Sequence, residues 1–271
     1  QKNGVAACPK HFAANSQELR RMASDSVMDE RTLREIYLTG FEIAVKEGKA
    51  KSIMSSYNRV NGTYANENKH LLQEILRDQW GFEGFVVSDW GGSNDHVEGV
   101  AAGSHLEMPT TGGDSDLELI DAVKSGRLSQ ELLDQRLDEL LDVILPVTKA
   151  VKPLTGKPFD IDAHHNLAAR ASEQSIVLLK NEENILPLKK GAKVAVIGEF
   201  AQKARYQGAG SSVVNPTKLD NAMDVIKNFG LDVAGFEAGY PRSGKGDPAM
   251  QARAVELAKQ ADIVLLYIGL D

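Results

Sequence analysis

Apolar residues along this chain switch repeatedly between two periods. Residues 31–47 place Leu33, Ile36, Tyr37, Phe41, Ala44 and Val45 at helical spacing, and Gly48 follows as a stop. Residues 67–80 do the same with Leu71, Leu72, Ile75, Leu76 and Trp80, ahead of Gly81. Around these helices lie short apolar runs: GVAAC (4–8), SIMSSY (52–57) and GFVVSD (84–89). Runs of that kind predict strands covered on both faces. HLEMP (105–109) is a fourth candidate. Two further helices are predicted over 115–125 and 129–151, the second lined by Leu133, Leu137, Leu140, Leu141 and Ile144. Strands alternating with helices at this pitch predict βα units and a parallel sheet. Three or four such units precede residue 152, half of an eight-unit barrel.

The stretch KPLTGKPFDID (152–162) carries two prolines and a glycine and interrupts the pattern. Residues 153–162 therefore read as a linker between a domain over 1–152 and a second over 163–271. Beyond it the alternation restarts. A helix over 163–175 leads into IVLLKN, then KVAVIG (193–198), a helix near 219–228, LDVAGF (231–236), a helix over 249–260 and DIVLLYIG (262–269). This predicts a second, open α/β sheet. The chain starts without Met and stops just after an apolar strand, so both ends read as cut. Localisation stays open on that ground, with a cytoplasmic protein slightly favoured and secretion still allowed.

Composition narrows the classes. Of 271 residues, 42% are hydrophobic and 25% charged, which excludes a disordered or collagen-like chain. Cys8 is the only cysteine, so no internal disulfide and no cysteine-based metal site can form. It lies in a small apolar run and is expected to be a buried hydrophobe. The net charge of −7 argues against a nucleic-acid partner. No apolar run of about 18 residues exists to span a membrane.

Ligands of parallel α/β folds gather at the C-terminal ends of strands. That rule selects Lys10 and His11 after the first strand, Tyr57 and Asn58 after the second, and Asp89 and Trp90 after the third. Glu107 lies in the fourth. A carboxylate, cationic donors and two aromatics at one mouth suit a sugar ring, with its polar edge and apolar faces. Singly, each has a duller reading: Asp89 as a helix cap, His11 as a bonded core residue, Tyr57 and Trp90 as packing. GAGSSVVNP (208–216) superficially suggests a phosphate cradle. Its glycines begin ten residues after Gly198 and the third glycine is missing, so no nucleotide cofactor is expected. GGDSD (112–116) lacks the remaining ligands of a calcium loop and reads as a helix cap. His164 and His165, at a helix start, read as solvated.

KHFAANSQE (10–18), MSSYNRVNG (54–62), LLQEILRDQWGFEGFVVSDW (71–90) and LEMP (106–109) together resemble glycoside hydrolase family 3, its β-glucosidases in particular. ASEQSIVLLKNEENILPL (171–188) and GAGSSVVNP resemble the start of that family's second domain. The resemblance implies an α/β fold: the C-terminal half of a (β/α)8 TIM-type barrel, then the first part of an α/β sandwich, with the active site between them. It implies a retaining mechanism with Asp89 as nucleophile, Lys10 and His11 on sugar hydroxyls, Tyr57 beside the nucleophile and Trp90 as a subsite wall. The expected substrate is a β-glucoside or oligosaccharide, without metal or cofactor, and a homo-oligomer is possible for the full-length protein. The alternatives are a β-xylosidase or α-arabinofuranosidase, or a member that only binds carbohydrate. The family's acid/base glutamate follows a strand resembling DIVLLYIGLD and is expected beyond residue 271, since Glu182, Glu183, Glu199 and Glu237 sit in no matching motif. The 271 residues alone are then expected to be inactive. KHFAANSQE departs from the KHFPGHG of the family's N-acetylglucosaminidases. In AGSHLEMP, His105 stands where the family usually has Asp, and any polar contact of that Asp is in doubt.

Overall fold

The computed structural model describes residues 3–208 and 210–270, and the chain divides into two compact units between Lys157 and Pro158. Both units are α/β.

The first unit is built on parallel pairing. Strand β1 (Asp25–Ser26) pairs in parallel with β3 (Arg59–Val60), which turns back antiparallel onto β4 (Thr63–Tyr64). Strand β2 (Ser52–Met54) pairs in parallel with β5 (Phe85–Val87). Single parallel bridges extend this pair on each side, Phe12 to Ser55 and Val87 to Leu106. The four chain segments expected as strands thus lie side by side, in sequence order. Gly84 is needed at their crowded start, because a Cβ there would collide with the carbonyl oxygen of Lys51.

Two expected strands are reduced. GVAAC forms no strand, although Ala7 and Pro9 carbonyls accept from Ser52 and Met54 N–H. Pro9 has no N–H to return, and among the described residues β2 is the one strand bonded to the segment. Cys8 is accordingly exposed, which corrects its expected burial. HLEMP contributes only the Leu106 bridge.

The helices follow the apolar spacing closely. The first, α1, runs through Glu30–Thr32, a wide π-type turn Leu33–Leu38 and Thr39–Lys46. Asp29 caps it by accepting from Thr32 N–H. The second, α2 (His70–Gln79), buries Leu71, Leu72, Ile75 and Leu76. Each such side chain removed from water is worth about 1.5–3 kcal/mol. They pack with Leu33, Leu38, Ile53 and Val86 around Phe12, whose ring meets Phe41 and Trp80 edge-on at 5.0 and 6.0 Å. Helix α3 (His96–Ala102) is capped by Asp95, and α4 (Asp114–Lys124) and α5 (Gln130–Val151) complete the unit. Val97, Val100, Ala122 and Leu128 form their smaller core. The leucine row of α5 is less buried than its spacing predicts: Leu137, Leu141 and Ile144 are exposed, while Arg136 is buried.

A helical turn runs over Lys152–Leu154, and α6 (Ile161–Ser175) starts where Asp160 caps it. In the second unit IVLLKN is no strand, and Ile176, Val177, Leu178 and Leu179 are exposed. The sheet that does form is parallel, with β6 (Lys193–Ile197) between β7 (Asp232–Glu237) and β8 (Ile263–Leu266). Gly198 closes β6 at φ +112, where a Cβ would strike the Tyr267 carbonyl. The expected helix near 219–228 is split into α7 (Ala222–Val225) and a tighter turn Ile226–Phe229, and α8 is Pro248–Ala258. Within GAGSSVVNP, Ala209 lies outside the described residues, as does Asp271 at the chain end. His164 is exposed and stacks on Phe159, whereas His165 is bonded to Asp220 at 2.8 Å.

Candidate active site

Asp89 lies two residues past the end of β5, just before the chain turns at Trp90 and Gly91. Its backbone is fixed from two sides. Gly92 N–H donates to the Asp89 carbonyl at 2.8 Å, and Gly91 N–H donates to Met108 O at 2.7 Å. The Asp89 carboxylate accepts from Trp90 N–H at 2.7 Å through Oδ1. Its second oxygen, Oδ2, lies 3.3 Å from Nε2 of His11. The residue is 8% exposed, so the carboxylate is sheltered but reachable.

His11 sits one residue before the Phe12 bridge to Ser55, which fixes its height at the end of the parallel array. Partial burial pushes its pKa down, and the charges of Lys10 and Arg21 push the same way, against Asp89 and Glu18. Lys10 is exposed beside it. Tyr57 follows β2 and is buried. Its hydroxyl donates to the carbonyl of Trp90 at 2.8 Å, bridging the ends of β2 and β5. Burial and the Asp89 charge push the Tyr57 pKa up, so the phenol stays a donor. A Cβ on Gly92 would lie 3.3 Å from the Tyr57 ring, so this turn leans on the aromatic edge. Trp90 is 62% exposed and presents its indole to solvent.

The loop after Trp90 is clamped as well. Glu67 Oε1 accepts from the N–H groups of Asn94 and Asp95 at 3.0 and 2.7 Å. Asp95 in turn caps α3 by accepting from Glu98 N–H. No sequence pattern pointed to Glu67.

Glu107 stands apart from this group. Its carboxylate accepts from Ser115 Oγ at 2.5 Å and lies 3.9 Å from His96 Nδ1. It lines a cavity of about 400 Å³ between the Leu106 segment and helices α3, α4 and α5. Of the seven residues selected, Lys10, His11, Tyr57, Asp89 and Trp90 therefore lie at the strand ends, Asn58 is buried against the Ala13 and Ala14 carbonyls, and Glu107 is engaged with the helix layer.

His105 has a definite set of partners. Its side chain is fully buried, with Nδ1 accepting from Val86 N–H at 3.1 Å and Nε2 at 2.7 Å from Glu139 Oε2. Arg136 donates to the same Glu139 oxygen at 2.6 Å, and Arg77 lies 3.3 Å from it. Burial drives the His105 pKa down to about 4. Burial alone would raise Glu139, but hydrogen bonds from His105 and Arg136 and the Arg77 charge hold it at about 2. Among the described residues no group of three or more His, Cys, Asp or Glu is placed to hold a metal ion. No helix among them is long and apolar enough to cross a membrane.

Two family models account for most of the sequence. The glycosyl hydrolase family 3 N-terminal domain matches residues 1–143, and the C-terminal domain of the same family matches residues 176–271. The chain belongs to glycosyl hydrolase family 3. Thermostable beta-glucosidase B of Acetivibrio thermocellus is 46% identical over 273 residues, covering 100% of this chain and 36% of that protein. An exo-alpha-(1->6)-L-arabinopyranosidase of Bifidobacterium breve is 42% identical over 280 residues, again covering 100% of this chain and 36% of that protein. Among solved structures, a GH3 beta-glucosidase of Bifidobacterium adolescentis superposes with a TM-score of 0.93 at 42% identity, covering 100% of this chain and 39% of that one. Beta-glucosidase 3B of Thermotoga neapolitana in complex with alpha-D-glucose gives 0.81 at 37% identity, over 95% and 35%. The chain thus spans just over a third of the length of these relatives.

Proposed function

We propose that the protein carrying this chain is a retaining glycoside hydrolase that removes terminal β-D-glucosyl residues through a covalent glycosyl–Asp89 intermediate. The observation that carries the reading is the pairing of Asp89 with His11 at the ends of the two parallel segments that flank β2, with Tyr57, which follows β2, fixed between them. In this reading the first unit is half of a (β/α)8-type barrel, and the second is the start of an α/β sandwich. Asp89 attacks the anomeric carbon from one face while a proton donor on the other face releases the aglycone. Lys10 and His11 donate to sugar hydroxyls, and Trp90 offers an apolar wall. His11 neutral at Nε2–H or charged can donate, so substrate binding does not depend on its titration.

Covalent attack needs Asp89 ionised and held in line. The Trp90 N–H on Oδ1 leaves Oδ2 directed at His11 and free to be displaced toward a sugar. The donor is not expected among this chain's own glutamates. Glu182, Glu199 and Glu237 are each ion-paired, to Lys180, Lys203 and Arg253. The 271 residues alone should accordingly leave aryl β-glucosides intact.

A second reading, α-L-arabinopyranosidase, is supported by the Bifidobacterium breve relative at 42% identity. A panel of aryl β-glucoside, aryl α-L-arabinopyranoside and aryl β-xyloside separates these substrates. The mechanism is tested by Asp89→Gly in the full-length protein. Added azide should restore turnover of an activated aryl β-glucoside and yield the α-glucosyl azide, since azide then takes the vacated position of the nucleophile. An azide product of β configuration, or turnover unchanged by the substitution, would refute the assignment.

A further inference from the structure

Residues 15–24 make a loop whose two ends are sewn to the chain on either side of Tyr57. At its start Phe12 O accepts from Ser56 N–H at 2.9 Å, and Asn58 Nδ2 donates to Ala13 O and Ala14 O at 3.2 and 3.3 Å. At its end Ser24 O accepts from Arg59 N–H at 2.9 Å, and β1 then pairs with β3. Inside the loop Arg20 is held at φ +56, a region that long side chains avoid. That turn is closed by Ala23 and Ser24 N–H on the Arg20 carbonyl, and it delivers Arg21 onto the Tyr57 ring. The guanidinium carbon lies 4.4 Å from the ring centroid. Glu18 steadies it from behind at 2.8 Å.

We infer that Arg21 is a positioning residue for the glycosidase reaction, acting through Tyr57 rather than on the sugar; the inference rests on Asp89 being the nucleophile. A cation on an aromatic face is attracted by the ring quadrupole and fixes the plane of the ring. Here that plane decides where the phenol points. Held by Arg21, the hydroxyl reaches the carbonyl of Trp90, the residue after Asp89. The backbone that aims the nucleophile is thereby tied to β2 through a side chain whose own orientation is set by Arg21. Arg suits the task better than Lys, because its planar group can lie flat on the ring while its N–H groups engage Glu18.

The test is a double-mutant cycle in the full-length protein. Arg21→Met should lower kcat about fivefold with KM changed less than twofold, the size expected of one partly exposed cation–π contact. Tyr57→Phe should cost at least as much. Coupling through the ring predicts that the double variant is no worse than Tyr57→Phe, and that Arg21→Lys recovers part of the loss. Glu18→Gln, at an exposed position, should show a smaller loss of the same kind and serves if Arg21→Met does not fold. Additive losses in the cycle, or a wild-type kcat in Arg21→Met, would overturn the inference. Asp89→Asn in the same background keeps the two ideas separate. Its normal turnover would sink the glycosidase reading, whereas its inactivity beside an additive cycle would sink only the role of Arg21.

Discussion

Two histidine–carboxylate pairs of the first unit differ in almost everything except their chemistry. His11 and Asp89 lie 3.3 Å apart at the strand ends, with the imidazole 31% exposed. His105 and Glu139 lie 2.7 Å apart with the imidazole fully buried. Asp89 keeps one oxygen for a weak, exchangeable partner. Glu139 is saturated by His105, Arg136, Arg77 and Gln135. An open pair can trade its partner for a substrate, whereas a sealed pair can only hold the fold. Burying Glu139 without its arginines, or Arg77 and Arg136 without Glu139, would leave a charge unsatisfied, so the sealed cluster resists change.

The comparison predicts a division of effects. Asp89→Asn should lower kcat of the full-length protein by at least about a thousandfold while its melting temperature stays within a degree or two. Glu139→Ala should do the reverse. Removing it strands Arg77, Arg136 and His105 in the interior, at a cost of about 3 kcal/mol or more. Thermal unfolding should move down by roughly 10 °C, with kcat retained by the molecules that remain folded. Loss of activity without loss of stability in Glu139→Ala would erase the distinction.

His11→Ala sharpens it further. It should lower kcat/KM by about a hundredfold at unchanged stability, because contacts to sugar hydroxyls tighten in the transition state. Recovery of this variant solely by substrates with highly activated leaving groups would mark His11 as a proton donor instead.

Sequence patterns foretold the open pair but not the sealed one, for a physical reason. Asp89 and His11 each end an apolar run, and strand ends of one polarity converge in parallel folds. Periodicity can therefore bring Lys10, His11, Tyr57, Asp89 and Trp90 together without knowledge of contacts. Arg77 and Arg136 sit on helix faces whose neighbouring leucines promise an apolar surface. Nothing local tells that His105 will meet Arg77, and Arg136 through Glu139, across the helix layer. The AGSHLEMP departure marked the position of interest without its partners. Glu107 shows the opposite error, since its place in a strand was legible but the direction of its side chain was not. GVAAC failed as a strand because it runs into Pro9, which has no N–H to donate to β2.

Acid should also separate the pairs. His105 titrates near 4 when folded and near 6.5 when unfolded, so the unfolded chain takes up the proton first. Its contribution to stability is complete above pH 6.5 and is lost as pH falls toward 4. Glu139, held at about 2, loses its contribution between the ordinary glutamate range and that value, so both act in the same direction. Chemical denaturation across pH 4–7 should show stability rising with pH, and His105→Gln should flatten that rise. An unchanged slope in the variant would show that His105 does not carry it.

The smallest effect belongs to Cys8. Exposed at the edge of the parallel array, it should react quickly with a thiol reagent in the native protein, and Cys8→Ser should change stability by less than about 0.5 kcal/mol. Slow labelling that speeds up only on unfolding would contradict its exposure.

The most direct measurement of the central claim is covalent trapping. The full-length protein is incubated with an activated 2-deoxy-2-fluoro-β-glucoside, which slows breakdown of a glycosyl–enzyme more than its formation. The proteolytic peptide that carries the label is then identified by mass. One label per active site is expected, carried by Asp89 within GFVVSDW, with no label in Asp89→Asn. A label on another carboxylate, or none while the parent glucoside is turned over, would contradict the claim.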